Sequence, residues 1–385
     1  MTHADRTRLI ASATRRGDGR RPVNPPIERA STMLSDNAAA MRDDTDGPVY
    51  GLDGTSAAGE LRAALADLEG AAQAFLAPSG LAAVTIPLLA LTRPGDEILA
   101  SDAVYGPSRR FLNRYMAARG VTTRFLPADA DAETVLGAIG ERTRLVLMES
   151  PASLTFEMID VVAVATGCRA RGVTSMLDNT WAAGLAFKPL AHGVDVSVQA
   201  VTKYVAGHSD LLMGAICVSD PAVGRRVGDA IEDMGWHVSP DDAWLALRGL
   251  RTLPLRYAEQ ARSALTVARW LQSRPEVSRV LYPPLPEDPA HALWSRNFTG
   301  AASLLGMVMK GGDEIRAHAL MDGLSLFGMG YSWGGFESLI THETHQMAYR
   351  DQPPVLEGEL LRLHIGLEDP MDLIADLEKG LSAFR

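Results

Sequence analysis

Lysine is scarce in this chain of 385 residues. The sequence contains 37 lysine and arginine residues, and only four of them are lysines: Lys188, Lys203, Lys310 and Lys379. Arginine stays protonated, whereas a lysine amine can lose its proton and attack a carbonyl carbon. Because the sequence otherwise uses arginine, each lysine is a candidate for chemistry that arginine cannot perform.

Cysteine and long apolar runs are also rare. The two cysteines, Cys168 and Cys217, lie in apolar segments, so we expect buried free thiols and no disulfide framework. The longest apolar run, 81–91, is too short to cross a bilayer. The N-terminus lacks the apolar core of a signal peptide. We therefore expect a cytoplasmic protein with no membrane partner.

Basic residues are fewer than acidic residues in this chain. Asp and Glu number 47 against 37 Lys and Arg, which gives a net charge of −10. This charge repels nucleic-acid phosphates at long range, so we predict no nucleic-acid partner. Hydrophobic residues make up 46% of the chain and charged residues 22%, a composition typical of globular proteins.

The pattern along the chain predicts an arm followed by two domains. Residues 1–53 are polar, rich in arginine and interrupted by prolines, as expected of an extended N-terminal arm. Short apolar strands then alternate with amphipathic helices, which predicts an α/β domain at 54–249 with a mainly parallel sheet of seven strands. A strong helix at 257–275 and a less regular pattern predict a smaller α+β domain at 250–385.

Polar side chains follow two of the predicted strands. Asp178 ends the strand at 173–178, with Thr180 shortly after it, and Lys203 follows the strand at 195–200. Ligands of such sheets bind beyond the carboxyl ends of the strands. Taken singly, Asp178 is more simply a helix cap and Lys203 a surface residue.

Together these residues meet the needs of pyridoxal 5′-phosphate. The cofactor needs a lysine for its aldehyde, a carboxylate for its pyridine nitrogen, and a helix start with hydroxyl groups for its phosphate. Lys203 meets the first need and Asp178 the second. Tyr105, in the DAVYGP segment, is placed to stack on the ring. The predicted phosphate site consists of Ser79, Gly80, Leu81 and Thr202.

Several further motifs follow one another from about residue 45 to the C-terminus. They include VYG (49–51), APSGLAAV (77–84), MESPASLTFE (148–157), MLDNTWAAG (176–184), DVSVQAVTKYVAGHSD (195–210), LRGLRTL (247–253), GYSWGGFESLI (330–340) and LRLHIGLED (361–369). By these motifs the chain resembles the Cys/Met-metabolism family of pyridoxal-phosphate enzymes, and within it the bacterial carbon–sulfur β-lyases.

The resemblance implies a fold, an assembly and an activity. The implied fold is that of type I aminotransferases, and the implied assembly is a homotetramer, a dimer of dimers whose active sites are shared between subunits. The implied activity is cleavage of L-cystathionine or related cysteine S-conjugates to a thiol, pyruvate and ammonia, as in transsulfuration towards methionine. The substrate partner is then a small sulfur amino acid.

The resemblance also implies a role for each matching residue. Lys203 would bind the cofactor, Asp178 and Thr180 would belong to the cofactor site, and Tyr105 would assist proton transfer. Arg362 would bind the substrate carboxylate, because its planar guanidinium can bond both oxygens at once. The other implied pocket residues are Ser332, Trp333 and, from the neighbouring subunit, Tyr50.

The chain departs from the family pattern at 50–52, which reads Tyr-Gly-Leu where relatives usually have Tyr-x-Arg at the phosphate. Leu52 has neither charge nor hydrogen bond to offer, and Asp53 is acidic where relatives tend to be basic. One hypothesis is that the phosphate is held less tightly, or that Arg109 or Arg110 supplies the missing charge. Another is that the pocket suits a different substrate, with Asp53 and Arg110 binding the distal end of cystathionine.

Other functions stay open at this point. The same scaffold serves γ-lyases and amino-acid racemases, and a protein that binds the cofactor but acts as a regulator is an alternative of another class. His342 and His345 lie three residues apart without the HExxH spacing of metalloproteases. We interpret them as loop residues and predict no metal site.

Overall fold

The computed structural model describes residues 3–11, 20, 22–42 and 47–385. The remaining positions all fall within the predicted arm and lie outside the described residues. The described part of the arm contains helix α1 (Asp5–Ala11). The segment of the arm around Pro25 lies against a long helix of the body, since the indole nitrogen of Trp244 donates a hydrogen bond to the Pro25 carbonyl at 3.1 Å.

A large sheet of seven strands occupies the first half of the body. In spatial order the strands run β1-β7-β6-β5-β4-β2-β3, and only β7 is antiparallel to its neighbours. The mainly parallel seven-stranded sheet predicted from the sequence is thereby confirmed. The strands are β1 (Gln73–Ala77), β2 (Glu97–Ser101), β3 (Thr122–Leu126), β4 (Thr143–Glu149), β5 (Thr174–Asp178), β6 (Val196–Gln199) and β7 (Gly214–Val218).

Helices connect these strands. In α2 the residues Leu61, Leu65 and Leu68 recur at helical spacing and are buried, and Gly70 ends the helix in the left-handed conformation. Every residue of β7 is buried, as expected of strands covered on both faces. The helices are α2 (Ser56–Glu69), α3 (Gly80–Leu91), α4 (Gly106–Phe111), α5 (Ala132–Gly137), α6 (Val161–Ala170) and α7 (Pro221–Asp233).

Helix α8 (Pro240–Gln272) spans 33 residues. Its first turn is capped by Ser239, whose hydroxyl accepts a hydrogen bond from the backbone of Asp241 at 3.2 Å. The helix predicted at 257–275 is its second half. The predicted domain boundary at 249/250 falls inside α8, so the helix belongs to both predicted units and the division itself stays a prediction.

A second sheet of five strands follows α8, in the order β10-β11-β12-β9-β8. Its strands are β8 (Val277–Leu281), β9 (Leu304–Met309), β10 (Gly328–Met329), β11 (Leu339–His342) and β12 (Leu360–His364). Its helices are α9 (His291–Asn297), α10 (Glu314–Asp322) and α11 (Pro370–Leu381). In the middle of this sheet Arg362 of β12 lies opposite Thr341 on one side and Gly306 on the other.

Several elements are not predicted from the sequence pattern. Strand β1 is identified only through its antiparallel pairing with β7, and β10 and β11 are strands of two and four residues, too short to give a periodic signal. The two cysteines are free and buried, as predicted. Among helices in the described part of the chain, none combines the length and apolar character needed to cross a membrane.

Candidate active site

Lys203 lies in a turn just beyond the carboxyl end of β6. Its Nζ donates a hydrogen bond to the hydroxyl of Ser332 at 2.8 Å. Removal from water, together with the positive charge of Arg362, lowers the pKa of Lys203 to about 8, although Asp178 opposes this shift. A substantial fraction of this amine is therefore neutral near physiological pH, as a nucleophile or base requires.

Asp178 is the last residue of β5, the strand next to β6. Its Oδ1 accepts hydrogen bonds from the backbone N–H of Thr180 at 3.1 Å and from the Thr180 hydroxyl at 2.5 Å. The same hydroxyl accepts a bond from the backbone of Ala200 at 2.9 Å, which joins the ends of β5 and β6. Removal from water raises the pKa of Asp178, while these bonds and Lys203 oppose the rise.

The start of helix α3 faces the segment that leads to Lys203. Ser79 caps the helix, because its hydroxyl accepts a bond from the backbone of Ala82 at 3.1 Å. A Cβ atom at Gly80 would lie 2.5 Å from the Cβ of Ala200, so only glycine allows this approach. The first N–H groups of a helix have no intrahelical acceptor and carry partial positive charge, so those of Gly80 and Leu81 suit an anion.

Thr202 is fixed beside this helix start. Its hydroxyl donates to the carbonyl of Met213 at 3.1 Å and accepts from the backbone N–H of Met213 at 2.9 Å. A hydroxyl oxygen has two acceptor positions, so one remains for another donor. The hydroxyl proton is already donated to the Met213 carbonyl. In this arrangement Thr202 has no free side-chain donor for an anion at the helix start.

Tyr105 is held next to a carboxylate that the sequence analysis does not assign. The backbone N–H of Tyr105 donates to Glu149 Oε2 at 2.7 Å, and Glu149 lies opposite Asp178 in the pairing of β4 with β5. Removal from water and the negative charge of Asp178 raise the pKa of Glu149 well above its usual range. Burial and Glu149 also raise the pKa of Tyr105, so its phenol is protonated at neutral pH.

Arg362 approaches the same pocket from the second sheet. Its Nη2 donates to the carbonyl of Ser332 at 3.4 Å and lies 3.6 Å from Glu343 Oε1. Burial lowers the pKa of Arg362, and Glu343 opposes the shift, so the guanidinium remains charged. Ser332 has a φ of 103°, an uncommon conformation that places its hydroxyl against Lys203 and its carbonyl against Arg362.

Trp333 and His364 support this loop. The Trp333 ring lies edge-on to Tyr204, and its centroid is 5.3 Å from Lys203 Nζ. The backbone N–H of Gly334 donates to His364 Nε2 at 3.1 Å. Burial lowers the pKa of His364 to about 3, so the ring is neutral and can accept this bond. In the sequence, His364 is visible only as a residue two positions after Arg362 on the same strand, with no motif that marks it as functional.

Arg256 of α8 holds the turn that carries Lys203. Its guanidinium donates to the carbonyls of Tyr204 at 2.8 Å, Val205 at 3.2 Å and Gly249 at 2.8 Å. The side chain is buried, and removal from water lowers the pKa of Arg256 to about 10. This residue lies three positions beyond the LRGLRTL motif and lacks a sequence signal of its own, because its partners are backbone carbonyls.

Tyr50, Asp53 and Arg109 have their hydrogen-bond and ionic partners away from Lys203 in the described part of the chain. Tyr50 is 54% exposed, and its backbone N–H donates to Asp53 Oδ2 at 3.1 Å. Arg109 is buried and paired with Asp102 and Asp351 at 2.8 and 2.7 Å, so it is not available to replace the missing charge at 50–52.

Arg110 remains as the candidate for that charge. It is exposed, and it is near enough to Tyr105 for its positive charge to oppose the rise in the pKa of that phenol. Its neighbour Arg109, by contrast, is buried and forms ion pairs with two carboxylates. The assignment of Arg110 and Asp53 to substrate binding stays a prediction.

These residues fit pyridoxal 5′-phosphate. Within the described residues Asp178 Oδ2 has no hydrogen-bond donor, because both bonds from Thr180 go to Oδ1. The pyridine N–H of the cofactor would supply such a donor. The Lys203 amine would bind the aldehyde of the cofactor, and the start of α3 would bind its phosphate. The fold and pocket are those of a pyridoxal-phosphate enzyme of the type I aminotransferase fold.

The comparison with known sequences agrees. The chain belongs to the family described as Cys/Met metabolism PLP-dependent enzymes, whose profile matches residues 6–382. Its cofactor is therefore pyridoxal phosphate, as predicted. A cystathionine beta-lyase of Bordetella avium is 41% identical over 373 residues, covering 94% of this chain and 93% of the relative.

The chain is also similar to a racemase and to a solved structure of a further protein. An L-alanine/L-glutamate racemase of Wolbachia pipientis wMel is 34% identical, covering 97% of this chain and 96% of the relative. The crystal structure of metB from Corynebacterium glutamicum superposes with a TM-score of 0.93 at 30% identity, covering 100% of this chain and 99% of that one.

Proposed function

We propose that this protein is a carbon–sulfur β-lyase that cleaves L-cystathionine or a related cysteine S-conjugate to a thiol, pyruvate and ammonia. The observation that carries the proposal is the placement of the Lys203 amine, which is held by Ser332 and feels the charges of both Asp178 and Arg362. The similarity to the Bordetella avium cystathionine beta-lyase supports this substrate class.

The cofactor would be held at three points. Lys203 would bind its aldehyde carbon, Asp178 its pyridine N–H, and the start of α3 with Ser79 its phosphate. When bound, the cofactor withdraws electrons from the substrate Cα and makes the Cα proton acidic. The protein residues then position the substrate and move protons.

Arg362 would bind the substrate α-carboxylate. The guanidinium is enclosed and already oriented by Ser332 and Glu343, so little conformational freedom is lost when the carboxylate binds. This contact would place the Cα–H bond beside Lys203 Nζ, since the Ser332 loop contacts both side chains.

Lys203 would take the Cα proton, because burial lowers the pKa of its amine to about 8 and makes it a usable base. The Cβ–S bond then breaks, and the electron pair of that bond leaves with the sulfur. The leaving thiolate would receive a proton from Lys203 or from the Tyr105 phenol, whose raised pKa keeps it protonated. Water converts the remaining three-carbon fragment to pyruvate and ammonia.

The test is turnover of purified holoenzyme on a panel of sulfur amino acids. We expect L-cystathionine or another cysteine S-conjugate to give equal amounts of thiol and pyruvate. Lys203→Arg should remove this activity, whereas Lys310→Arg, at an exposed lysine in the second half of the chain, should retain it. Formation of 2-oxobutyrate would instead indicate a γ-lyase, and no turnover of any substrate would indicate a cofactor-binding regulator.

Racemisation is a second candidate, favoured by the similarity to the Wolbachia racemase. A racemase also needs a base at Cα but leaves the Cβ substituent in place. The two activities are separated by incubating holoenzyme with L-alanine or L-glutamate and measuring optical rotation. Loss of rotation without pyruvate, combined with no thiol release from cystathionine, would overturn the β-lyase proposal.

We further propose a homotetramer in the cytoplasm. Tyr50, which the family resemblance assigns to a neighbouring active site, is exposed in the single chain. The two free cysteines agree with a reducing compartment. Light scattering gives the assembly directly. Mixing inactive Lys203→Ala and Tyr50→Phe subunits tests the sharing, since mixed dimers should regain activity that neither parent has.

A further inference from the structure

We propose that Glu314, His318 and His342 form a binding site for one divalent transition-metal ion of the Zn²⁺ type. We call these three residues the His–Glu triad. The triad lies on the outer part of the second sheet domain and takes no part in the chemistry proposed above.

The triad joins a helix to a strand. Glu314 and His318 are one turn apart on α10, with Oε1 and Nε2 separated by 3.7 Å. His342 is the last residue of β11, and its ring centroid lies 5.4 Å from that of His318. From the sequence alone, His342 is predicted to be a loop residue. The structure places it on a strand beside a histidine 24 positions earlier in the chain.

The ligand atoms are close enough for one ion. One nitrogen or carboxylate oxygen from each member of the triad lies within 4.8 Å of the others. Two ligands of a tetrahedral zinc ion are about 3.3 Å apart, given Zn–N distances of about 2.0 Å. Glu314 and His318 are exposed, so small side-chain rotations bring the three atoms to that spacing.

A second observation points to a metal ligand at His342. Its Nε2 lies 2.7 Å from Glu359 Oε2 and 3.1 Å from the hydroxyl of Thr344. Histidines that bind metals typically donate their other ring nitrogen to a carboxylate, which fixes the ring and makes it a better ligand. The contact with Glu359 leaves Nδ1 of His342 without a hydrogen-bond partner in the described part of the chain.

The surroundings leave room for water ligands. The triad lines a surface cavity of about 360 Å³, together with His345, Met321 and Tyr331. Three protein ligands with an open position filled by water are common at zinc sites. Imidazole nitrogens favour zinc, nickel or copper over magnesium and calcium, which prefer oxygen ligands.

The location predicts a structural consequence. An ion bound by the triad would cross-link α10 to β11, two elements that are otherwise joined by packing. A ligand that binds only the folded state stabilises it by mass action. We therefore expect Zn²⁺ to raise the melting temperature of the holoenzyme without being required for turnover.

The test uses holoenzyme freed of metal with EDTA. Competition between the protein and a chromophoric chelator for Zn²⁺ should show one ion bound per chain in the micromolar range or tighter. His318→Ala and His342→Ala should each abolish this binding and the rise in melting temperature. Glu359→Gln should weaken binding about 10- to 100-fold, because it removes the partner of a ligand.

Controls distinguish this site from adventitious binding. His237→Ala, at an exposed histidine elsewhere in the chain, should bind Zn²⁺ as the wild type does, and Mg²⁺ should have no effect. Cofactor absorbance reports whether each variant is folded. Binding retained in both triad variants, no binding in the wild type, or binding only at millimolar Zn²⁺ would overturn the proposal.

Discussion

The guanidinium of Arg362 lies 3.6 Å from the carboxylate of Glu343, which is completely buried. Glu343 also accepts hydrogen bonds from the hydroxyl of Thr341 at 2.6 Å and from the side chain of Gln346. The carboxylate is therefore fixed before any substrate arrives. It provides the counter-charge that lets an arginine remain ionised inside the second sheet.

Removing this counter-charge should destabilise the protein. In Glu343→Gln the buried guanidinium of Arg362 loses its ionic partner, and we expect the free energy of unfolding to fall by about 3 to 5 kcal/mol. Denaturant titration of the holoenzyme measures the change. The double variant Glu343→Gln/Arg362→Met has no unpaired charge and should recover part of the loss. Equal or greater destabilisation of the double variant would contradict the ion-pair explanation.

Gly334 should tolerate no side chain. Its φ is 80°, and a Cβ atom there would lie 2.7 Å from the backbone nitrogen of Tyr204 and 2.9 Å from the carbonyl carbon of Lys203. Gly334→Ala combines backbone strain with overpacking, so we expect a loss of about 2 to 5 kcal/mol in stability. The shifted Lys203 backbone should also lower kcat.

The matched control is Gly330→Ala, four residues earlier in the same loop. A Cβ atom at Gly330 would meet nothing within 4 Å, so stability and kcat should stay close to those of the wild type. If both alanine variants behave alike, the close approach of Gly334 to Lys203 does not constrain the active site.

His364 should make the protein sensitive to mild acid. Burial lowers the pKa of His364 to about 3, against about 6.5 in the unfolded chain. Between these values the unfolded state binds one more proton, so stability rises with pH there and falls as pH drops below 6.5. From pH 7 to pH 5 the wild type should lose about 2 kcal/mol more than His364→Gln, which cannot titrate.

Unfolding free energies of the two proteins at several pH values check this expectation. Subtracting the variant's unfolding free energy from that of the wild type cancels the contribution of the carboxylates that titrate in the same range. A difference that stays constant from pH 7 to pH 5 would mean that His364 becomes protonated in the folded state.

Leu52→Arg should strengthen cofactor binding. The family resemblance implies an arginine at this position, where it would bond the phosphate across the subunit interface. A charge-assisted bond contributes about 1.5 to 3 kcal/mol, so we expect the apoenzyme variant to bind pyridoxal phosphate at least about 10-fold more tightly. Titration followed by cofactor absorbance measures this. Leu52→Met controls for side-chain size, and equal affinity of all three proteins would refute the weakened phosphate site.

The cofactor pair Lys203 and Asp178 could be predicted from local pattern. Both follow short apolar strands, and parallel strands end at the same edge of a sheet. The structure places Asp178 at the end of β5 and Lys203 just beyond the end of the neighbouring strand β6, near enough for the charge of Asp178 to affect the pKa of Lys203. The scarcity of lysine added a signal that does not depend on spacing.

Contacts that close the pocket could not be predicted in this way. Ser332 is 129 positions from Lys203, and its unusual φ is visible only in the folded backbone. The arginine pair at 109 and 110 looks uniform in the sequence, yet Arg109 is buried between two carboxylates while Arg110 is exposed. Neither outcome follows from the residue types, because each depends on partners distant in the chain.

The amino-acid sequence by itself determined the alternation of helices and strands from β2 to β6, the family and its cofactor, and the two residues at or just beyond the strand ends of that alternation, Asp178 and Lys203. These follow from local periodicity and from motifs within short segments. Only the tertiary structure decided that Ser332 bonds Lys203, that Glu343 balances Arg362, and that His318 lies beside His342. Such pairs form when separate elements pack together, and their geometry is set by the whole fold.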